Sequence, residues 1–253
     1  MKLLLIRHAE PDYTVDGLTP KGKVEAALLA ERLLKLPIGD CYQSPKGRAM
    51  ATAAAYLSRS GKTAETLPWL QEFRGTAFDP EAGKMRICWD YKPRQWSACP
   101  EMLSVDTWTQ TPIFQGSNVP QVWQETTEGM DALMARYGYR KDGQVWLCEK
   151  NTEDTLALFC HFGMSMAILG YLTNISPIVL WHCFGMQPSS VTMVMTEERK
   201  PGEVSWRCVK VGDLTHLEAN GEPWSTAGLF PECWTGVDST DPTSNHTRGF
   251  DKE

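Results

Sequence analysis

The sequence predicts an α/β fold of three layers, in which a mostly parallel sheet lies between helices and carries an inserted, aromatic-rich cap. Short apolar runs alternate along the chain with segments of helical periodicity, an order typical of parallel sheets covered on both faces. The runs KLLLI and TLALFC are continuous and short, as in strands buried on both sides. At 42% hydrophobic and 22% charged residues, the chain has the balance of a globular protein.

The first third of the chain predicts three strands joined by two helices. Residues 2–6 form the first strand, and a helix begins where Thr19 can cap Pro20. Pro37 ends that helix, and DCYQS follows as the second strand. Ser44 and Pro45 open a helix that runs to a terminal glycine, after which KTAETL is the third strand.

The later part of the chain continues the alternation of helices and strands. The spacing predicts helices over VPQVWQETTEGMDALMARYG and GMSMAILGYLTN, and strands over QVWLCEK, TLALFCHF, SSVTMVMT and EVSWRCVKV. Ligands of such folds bind where the strands end at their carboxyl side. We therefore expect a single domain over residues 1–220 with its site at that edge.

Two segments depart from this pattern. Residues 73–120 hold many aromatic side chains among Pro, Gly and Thr without a regular period, which indicates an insertion and not a linker. The insertion is either a cap that touches the substrate or a small satellite core. Residues 221–253 are rich in Pro, Ser, Thr and Asp, so we expect a C-terminal extension that is partly loose.

Charge and hydropathy exclude several classes of function. The net charge of −6 argues against broad nucleic-acid binding, but it permits a small anionic substrate held by a few local cations. No apolar run reaches the ~18–20 residues of a membrane span, so we expect a cytoplasmic protein that binds no membrane. The eight cysteines are scattered without a CxxC pair, which favours reduced thiols over metal ligands. The sequence leaves the oligomeric state open.

Polar residues suited to phosphoryl transfer stand at four places in the predicted fold. Arg7 and His8 end the first strand, and Arg48 lies at the start of a helix, where free amides also favour an anion. Glu72 follows the third strand, and His161 ends the strand TLALFCHF. Each of them could instead be an ordinary surface residue or a buried structural residue. The prediction of a site therefore rests on their occurring together.

In this order and context, the motifs resemble those of the histidine phosphatase superfamily, the phosphoglycerate-mutase-like enzymes. LLLIRHAE resembles the RHG motif with Ala9 in place of glycine, and LTPKGKVEA resembles LTxxGxxQA with Glu25 in place of glutamine. SPKGRAMATA, LQE and HFGMS resemble the further motifs of the family. GDLTHL is similar to the segment that often follows its last strand. The resemblance covers nearly the whole chain except the insertion and the extension.

The resemblance implies a role for each candidate residue. His8 would be the nucleophile that is phosphorylated, while Arg7, Arg48 and His161 would hold phosphate oxygens. Glu72 would protonate the leaving group and then activate water; Asp79 and Glu81, in the following loop, are the next candidates for this acid. The position of the family's frequent asparagine holds Thr14, whose hydroxyl could still donate one hydrogen bond to phosphate. The resemblance implies no metal and no organic cofactor.

Within this family the sequence favours a phosphatase acting on a small phosphomonoester. Glycolytic mutases carry ERHYG around the acid, whereas this chain has EFRGTAFDP. A mutase, or a non-catalytic module that binds a phospho-ligand or a protein, remains the alternative. Of the other histidines, His182 and His216 are expected to be structural, and His246 lies in the polar tail and is expected to be inert.

Overall fold

The computed structural model describes residues 1–230 and Cys233 of the chain. Its strands are β1 (Lys2–Arg7), β2 (Pro11–Asp12), β3 (Gly17–Leu18), β4 (Cys41–Gln43), β5 (Ala64–Thr66), β6 (Thr76–Asp79), β7 (Lys84–Ile87), β8 (Tyr139–Asp142), β9 (Val145–Cys148), β10 (Thr155–Cys160), β11 (Val191–Lys200) and β12 (Glu203–Asp213). Its helices are α1 (Pro20–Leu33), α2 (Gly47–Ser60), α3 (Pro93–Ser97), α4 (Val119–Ala135), α5 (Phe162–Thr173), α6 (Pro177–Cys183) and α7 (Thr215–Glu218).

Eight of the strands form one sheet in the order β5-β4-β10-β1-β11-β12-β9-β8. The half from β5 to β1 is parallel, but every pairing from β1 to β8 is antiparallel. The prediction of a three-layer α/β fold is confirmed, whereas "mostly parallel" holds for one half only. The reason is local: tight turns join β8 to β9 and β11 to β12, and a tight turn joins only antiparallel strands.

Strand β1 shows why the sheet is covered on both faces. Leu4 and Ile6 pack with residues of α1 and α2 on one face, and Leu3 and Leu5 pack with residues of α4 and α5 on the other. All four side chains are fully buried. Since successive side chains of a strand point to opposite faces, a strand buried on both sides must be apolar at every position.

The signals at Thr19 and Gly61 are found where the sequence placed them, but the predicted opening at Ser44 and Pro45 is wrong, because α2 begins at Gly47 with Lys46 as its N-cap. The hydroxyl of Thr19 caps α1 by accepting from the amide of Gly22 at 2.9 Å. Gly61 ends α2 in the left-handed conformation at φ 68°. The elements that the sequence analysis did not predict include β8 and the seven-residue helix α6, which is apolar on most of its surface and so shows no helical period.

The aromatic insertion is continuous with the main core. Phe73, Trp108 and Phe114 are fully buried in the same cluster as residues of β1, α4 and α5. Trp108 also packs edge-on against Trp181 of α6, with ring centroids 5.5 Å apart. The insertion is therefore not a separate satellite core, and only a small part of it reaches the site described below.

The first residues of the predicted extension are docked onto the domain. Ser225 is 4% exposed, and its hydroxyl donates to a carboxylate oxygen of Glu10 at 2.6 Å. The ammonium group of Lys21 donates to the carbonyl of Pro223 at 2.6 Å. The rest of the extension, which the sequence predicts to be loose, lies outside the described residues apart from Cys233.

Among residues 1–230, no helix combines the length and the apolar character that crossing a membrane requires.

Candidate active site

His8 lies directly after β1 and is 2% exposed. Its Nδ1 is 2.8 Å from the carbonyl oxygen of Ala9, and a carbonyl can only accept, so Nδ1 carries a proton. Burial, followed by the charges of Arg48 and Arg7, holds the pKa of His8 well below its usual value. At neutral pH the imidazole is therefore uncharged, and its Nε2 has a lone pair available for attack.

Helix α2 supports the turn that follows His8. The amide of Ala9 donates to the hydroxyl oxygen of Thr52 at 3.0 Å, and that hydroxyl donates to the carbonyl of Arg48 at 2.8 Å. Thr52 thus joins the backbone beside His8 to the helix that carries Arg48. The sequence analysis missed this residue, although its spacing of four from Arg48 places the two on one helix face.

Arg48 is oriented by two residues that the sequence analysis did not single out. Its Nη1 is 2.6 Å from Oδ1 of Asp16, and the aromatic ring of Tyr13 lies 5.4 Å from the guanidinium carbon. The other oxygen of Asp16 accepts from the amide of Gly47 at 2.7 Å. A Cβ at Gly47 would meet the carbonyl oxygen of Asp16 at 2.2 Å, so this close approach requires glycine.

Arg7 is buried at the end of β1, beside the extension. One of its terminal nitrogens donates to the carbonyl of Met186, and the other donates to the carbonyl of Ala227 at 3.4 Å. Its guanidinium carbon lies 5.9 Å from the centre of the ring of Phe162. The guanidinium is thus held between the start of α5, the loop after α6 and the C-terminal extension.

His161 immediately precedes α5 and faces His8. The centroids of the His161 and His8 rings are 5.2 Å apart. Its Nε2 is 2.7 Å from the hydroxyl oxygen of Ser44, which already accepts from the amide of Lys46. The hydroxyl of Ser44 can therefore donate its proton to Nε2 of His161. The single N–H of the neutral ring then lies at Nδ1. Nδ1 is buried and has no hydrogen-bond partner among the described residues.

The pKa of His161 is well below its usual value, chiefly because the ring is buried and then because Arg48, His8 and Arg7 lie near it. The uncharged ring can offer one N–H to a bound oxygen anion without itself adding charge. Such an unpaired buried donor costs free energy until an acceptor arrives, which suits a phosphate-binding group.

Glu72 lies beyond β5 and is held against the start of α5. Its Oε1 accepts from the amides of Phe73 at 2.9 Å and Met164 at 3.0 Å, so a proton can reside on the other oxygen. Burial raises the pKa of this carboxyl despite those two donors. A Cβ at Gly163 would meet Oε1 at 2.8 Å and Trp89 at 2.4 Å, so a glycine lets the acid and the insertion approach each other.

The two carboxylates considered as replacements for Glu72 are engaged elsewhere. Asp79 is fully buried and pairs with Arg86, with Oδ2 2.8 Å from Nε. Glu81 pairs with Lys92 at 2.6 Å. Neither of these carboxylates lines the cavity beside Arg7, whereas Glu72 does.

Three other residues singled out in the sequence make their described hydrogen bonds away from Arg7, Arg48 and His161. Thr14 is exposed, and its hydroxyl donates to Asp12 at 2.6 Å because its short side chain closes a local turn. His182 bonds through Nδ1 to the carbonyl of Ile178 at 2.7 Å, as a structural histidine does, yet it also lines the cavity. His216 lies 3.0 Å from the hydroxyl of Ser189, away from the cavity. His246 lies outside the described residues.

A cavity of about 320 Å³ opens beside Arg7 and Glu72. Trp89 and Asp90 of the insertion line it, as do the end of α6, the loop that follows and residues 227–230 of the extension. Within the described part of the chain, no three His, Cys, Asp or Glu side chains are grouped to hold a metal ion. The requirement for a metal or cofactor is not tested by this observation.

The model of the histidine phosphatase superfamily (branch 1) matches residues 3–209 of the chain, which confirms the predicted resemblance. A relative named putative phosphoserine phosphatase 2, from Hydrogenobacter thermophilus, is 26% identical over 209 residues, which are 79% of this chain and 91% of the relative.

Solved structures show the same fold. The phosphoserine phosphatase of Entamoeba histolytica, solved as an H9A mutant with phosphoserine, aligns with a TM-score of 0.56 at 16% identity, over 85% of this chain and 98% of that chain. A mycobacterial glucosyl-3-phosphoglycerate phosphatase aligns with a TM-score of 0.55 at 19% identity, over 83% and 98%.

Proposed function

The chain belongs to the histidine phosphatase superfamily, and we propose that it hydrolyses a small phosphomonoester through a phosphohistidine on His8. The observation that carries this proposal is the hydrogen bond from Nδ1 of His8 to the carbonyl of Ala9, which leaves Nε2 as an uncharged nucleophile in a buried, cationic setting. The phosphatase names of its relatives agree with this class of reaction.

In the first step, Nε2 of His8 attacks phosphorus and the bond from phosphorus to the ester oxygen breaks. The departing oxygen takes a proton from Glu72, whose raised pKa keeps a proton available for it. Arg7, Arg48 and the N–H of His161 hold the non-bridging oxygens, on which negative charge lies in the transition state.

In the second step, the Glu72 carboxylate takes a proton from water, which attacks phosphorus as the bond to His8 breaks. Inorganic phosphate leaves, and both side chains return to their starting protonation states. No step of this sequence requires a metal ion. A cytoplasmic location and the absence of nucleic-acid and membrane partners stay predictions of the sequence.

The test is hydrolysis of p-nitrophenyl phosphate in the presence of a chelator, followed by trapping of the intermediate from ³²P-labelled substrate. We expect turnover without added metal, together with a protein label that is lost in acid and kept in alkali, as a phosphoramidate requires. A label stable in acid would place the phosphoryl group on another residue. Binding of phosphate without turnover would instead favour the non-catalytic alternative.

A further inference from the structure

The cavity beside the phosphate-binding residues has one polar end and a long apolar wall. Arg7 and Glu72 mark the polar end, where the phosphoryl group would be transferred. The large apolar residues among the others include Trp89, Phe162, Trp181, Phe184, Met186 and Leu229. The leaving alcohol must lie against this wall, because Glu72 has to reach its oxygen from the same cavity.

The charges along the wall do not suit an acidic leaving group. Among the described residues that line the cavity, Arg7 is the only one with a permanent positive charge, and it also binds two backbone carbonyls. The other charged lining residues are carboxylic acids, Glu72 and the buried Asp90. Burial lowers the pKa of His182, so this ring stays neutral and supplies no compensating charge.

A carboxylate on the substrate would therefore lose water without gaining a cationic partner other than Arg7 among the described residues that line the cavity. Burying an ionised group without a partner is costly, whereas burying an aromatic or aliphatic group is favourable. The phosphate itself is already served by Arg7, Arg48 and His161. The site therefore favours negative charge on the phosphate part of the substrate and disfavours charge on the alcohol part.

We propose that the preferred substrate is a phosphomonoester of an uncharged alcohol with an aromatic or aliphatic face, and that Phe184 is a residue that determines this specificity. The inference rests on the proposed function and adds the class of leaving group to it. It differs from the substrates that the names of the relatives print, phosphoserine and glucosyl-3-phosphoglycerate, whose leaving groups carry a carboxylate.

Phe184 is suited to testing this idea because it lies at the edge of the wall. It caps the end of α6 and is 44% exposed while lining the cavity, so a substitution there should disturb the core little. The matched control is Phe78, which is 55% exposed on β6 and lines a separate surface cavity.

The experiment measures kcat/KM for benzyl phosphate, phosphoserine and 3-phosphoglycerate, three substrates with alkyl leaving groups. We expect the unmodified protein to favour benzyl phosphate by about 10–100-fold, the range that burial of one aromatic group supports. Phe184→Arg should reduce that preference at least tenfold by adding a cation to the wall. Phe78→Arg should leave it unchanged.

Phosphoramidate has no organic group, so its rate of hydrolysis depends on the phosphate-binding residues and not on the apolar wall. If the unmodified protein hydrolyses phosphoramidate but prefers the two acidic substrates, the inference on the leaving group is overturned and the proposed function stands. If none of the four compounds is hydrolysed, the proposed function fails and the inference fails with it. A preference that is equal in Phe184→Arg and the unmodified protein would overturn the role of Phe184.

Discussion

The two ends of the cavity are built in different ways. Beside the end of the cavity that Arg7 and Glu72 line, where we propose that phosphate binds, polar side chains stand at the carboxyl ends of β1 and β10 and in the first turn of α2, each within a short motif. At the leaving-group end, the wall combines residues of the insertion, α5, α6, the loop after α6 and the extension. The chemistry is therefore encoded in short local segments, whereas the fit to the alcohol depends on regions far apart in sequence.

The largest expected effect concerns the nucleophile. His8→Ala removes Nε2, so we expect no measurable turnover and no trapped phosphoenzyme. His216→Gln is the control, because His216 is also buried but bonds to Ser189 away from the cavity. Labelling that persists in folded His8→Ala protein would contradict the proposed mechanism. Thermal unfolding measured on both variants shows whether the comparison is between folded proteins.

Glu72 connects the two ends, because it must give its proton to the leaving oxygen. Glu72→Gln keeps the side-chain shape but carries no acidic proton, so we expect phosphorylation by an alkyl phosphate to slow about 10²–10⁴-fold. With p-nitrophenyl phosphate the phosphorylation step should slow far less, since p-nitrophenolate departs without a proton. Single-turnover kinetics on both substrates measures the difference. An equal loss on each would show that Glu72 is not the leaving-group acid.

The cations at the phosphate-binding end should affect every substrate alike. Arg48→Ala should lower kcat/KM about 10²–10³-fold, with a large part of the loss in kcat, because the donor acts on the transferred phosphoryl group. Arg59→Ala on the same helix is the control, since Arg59 pairs with Glu31 on the surface. We expect Arg7→Ala and His161→Ala to resemble Arg48→Ala. Normal kinetics with only a lower melting temperature would show a structural role.

The smallest expected effect is on stability and depends on pH. Glu25 is fully buried, its Oε2 accepts from the amide of Glu10 at 2.8 Å, and its other oxygen has no partner among the described residues. Burial raises the pKa of Glu25 to about 7. The charges of Glu10 and Glu222 act in the same direction, whereas the charge of Lys21 and the hydrogen bond from the amide of Glu10 act against it. The folded state then keeps a proton that the unfolded state loses, so stability falls as pH rises from about 4.5 to about 7.

Glu25→Gln removes this ionisation. We expect the free energy of unfolding to increase by about 1–3 kcal/mol at pH 8 and to change little at pH 4.5, as measured by chemical denaturation. Glu31→Gln, on the exposed face of the same helix, should change it by less than about 0.5 kcal/mol at either pH. A gain for Glu25→Gln that is the same at both pH values would show that ionisation of Glu25 is not its cause.

Sequence reasoning was most successful where one segment determines its own structure. The apolar run of β1, the cap at Thr19 and the terminal Gly61 each act within a few residues, and the structure has them as expected. It failed for α6, whose seven residues are too few and too uniformly apolar to show a period. It also predicted more parallel strands than the sheet has, because the direction of a strand depends on its connections and not on its own residues.

At the site as well, features that depend on one segment were predicted better than contacts between segments. The structure brings His8 and His161 together because both follow parallel strands that are neighbours in the sheet. The hydroxyl of Thr14, the residue at the position of the family's frequent asparagine, donates to Asp12 within the same turn. Asp16 and Tyr13 could not be predicted as partners of Arg48, because their contacts depend on how the loop after β1 packs on α2.

The carbonyls that bind Arg7 have a consequence for how the product leaves. When inorganic phosphate departs, the guanidinium does not become an unpaired buried charge, because the carbonyls of Met186 and Ala227 still accept its hydrogen bonds. Phosphate therefore gains less from this arginine than it would from one with no other acceptors, and product inhibition should be correspondingly weak. We therefore expect the loop after α6 and the extension to ease the release of phosphate in the last step of the proposed cycle.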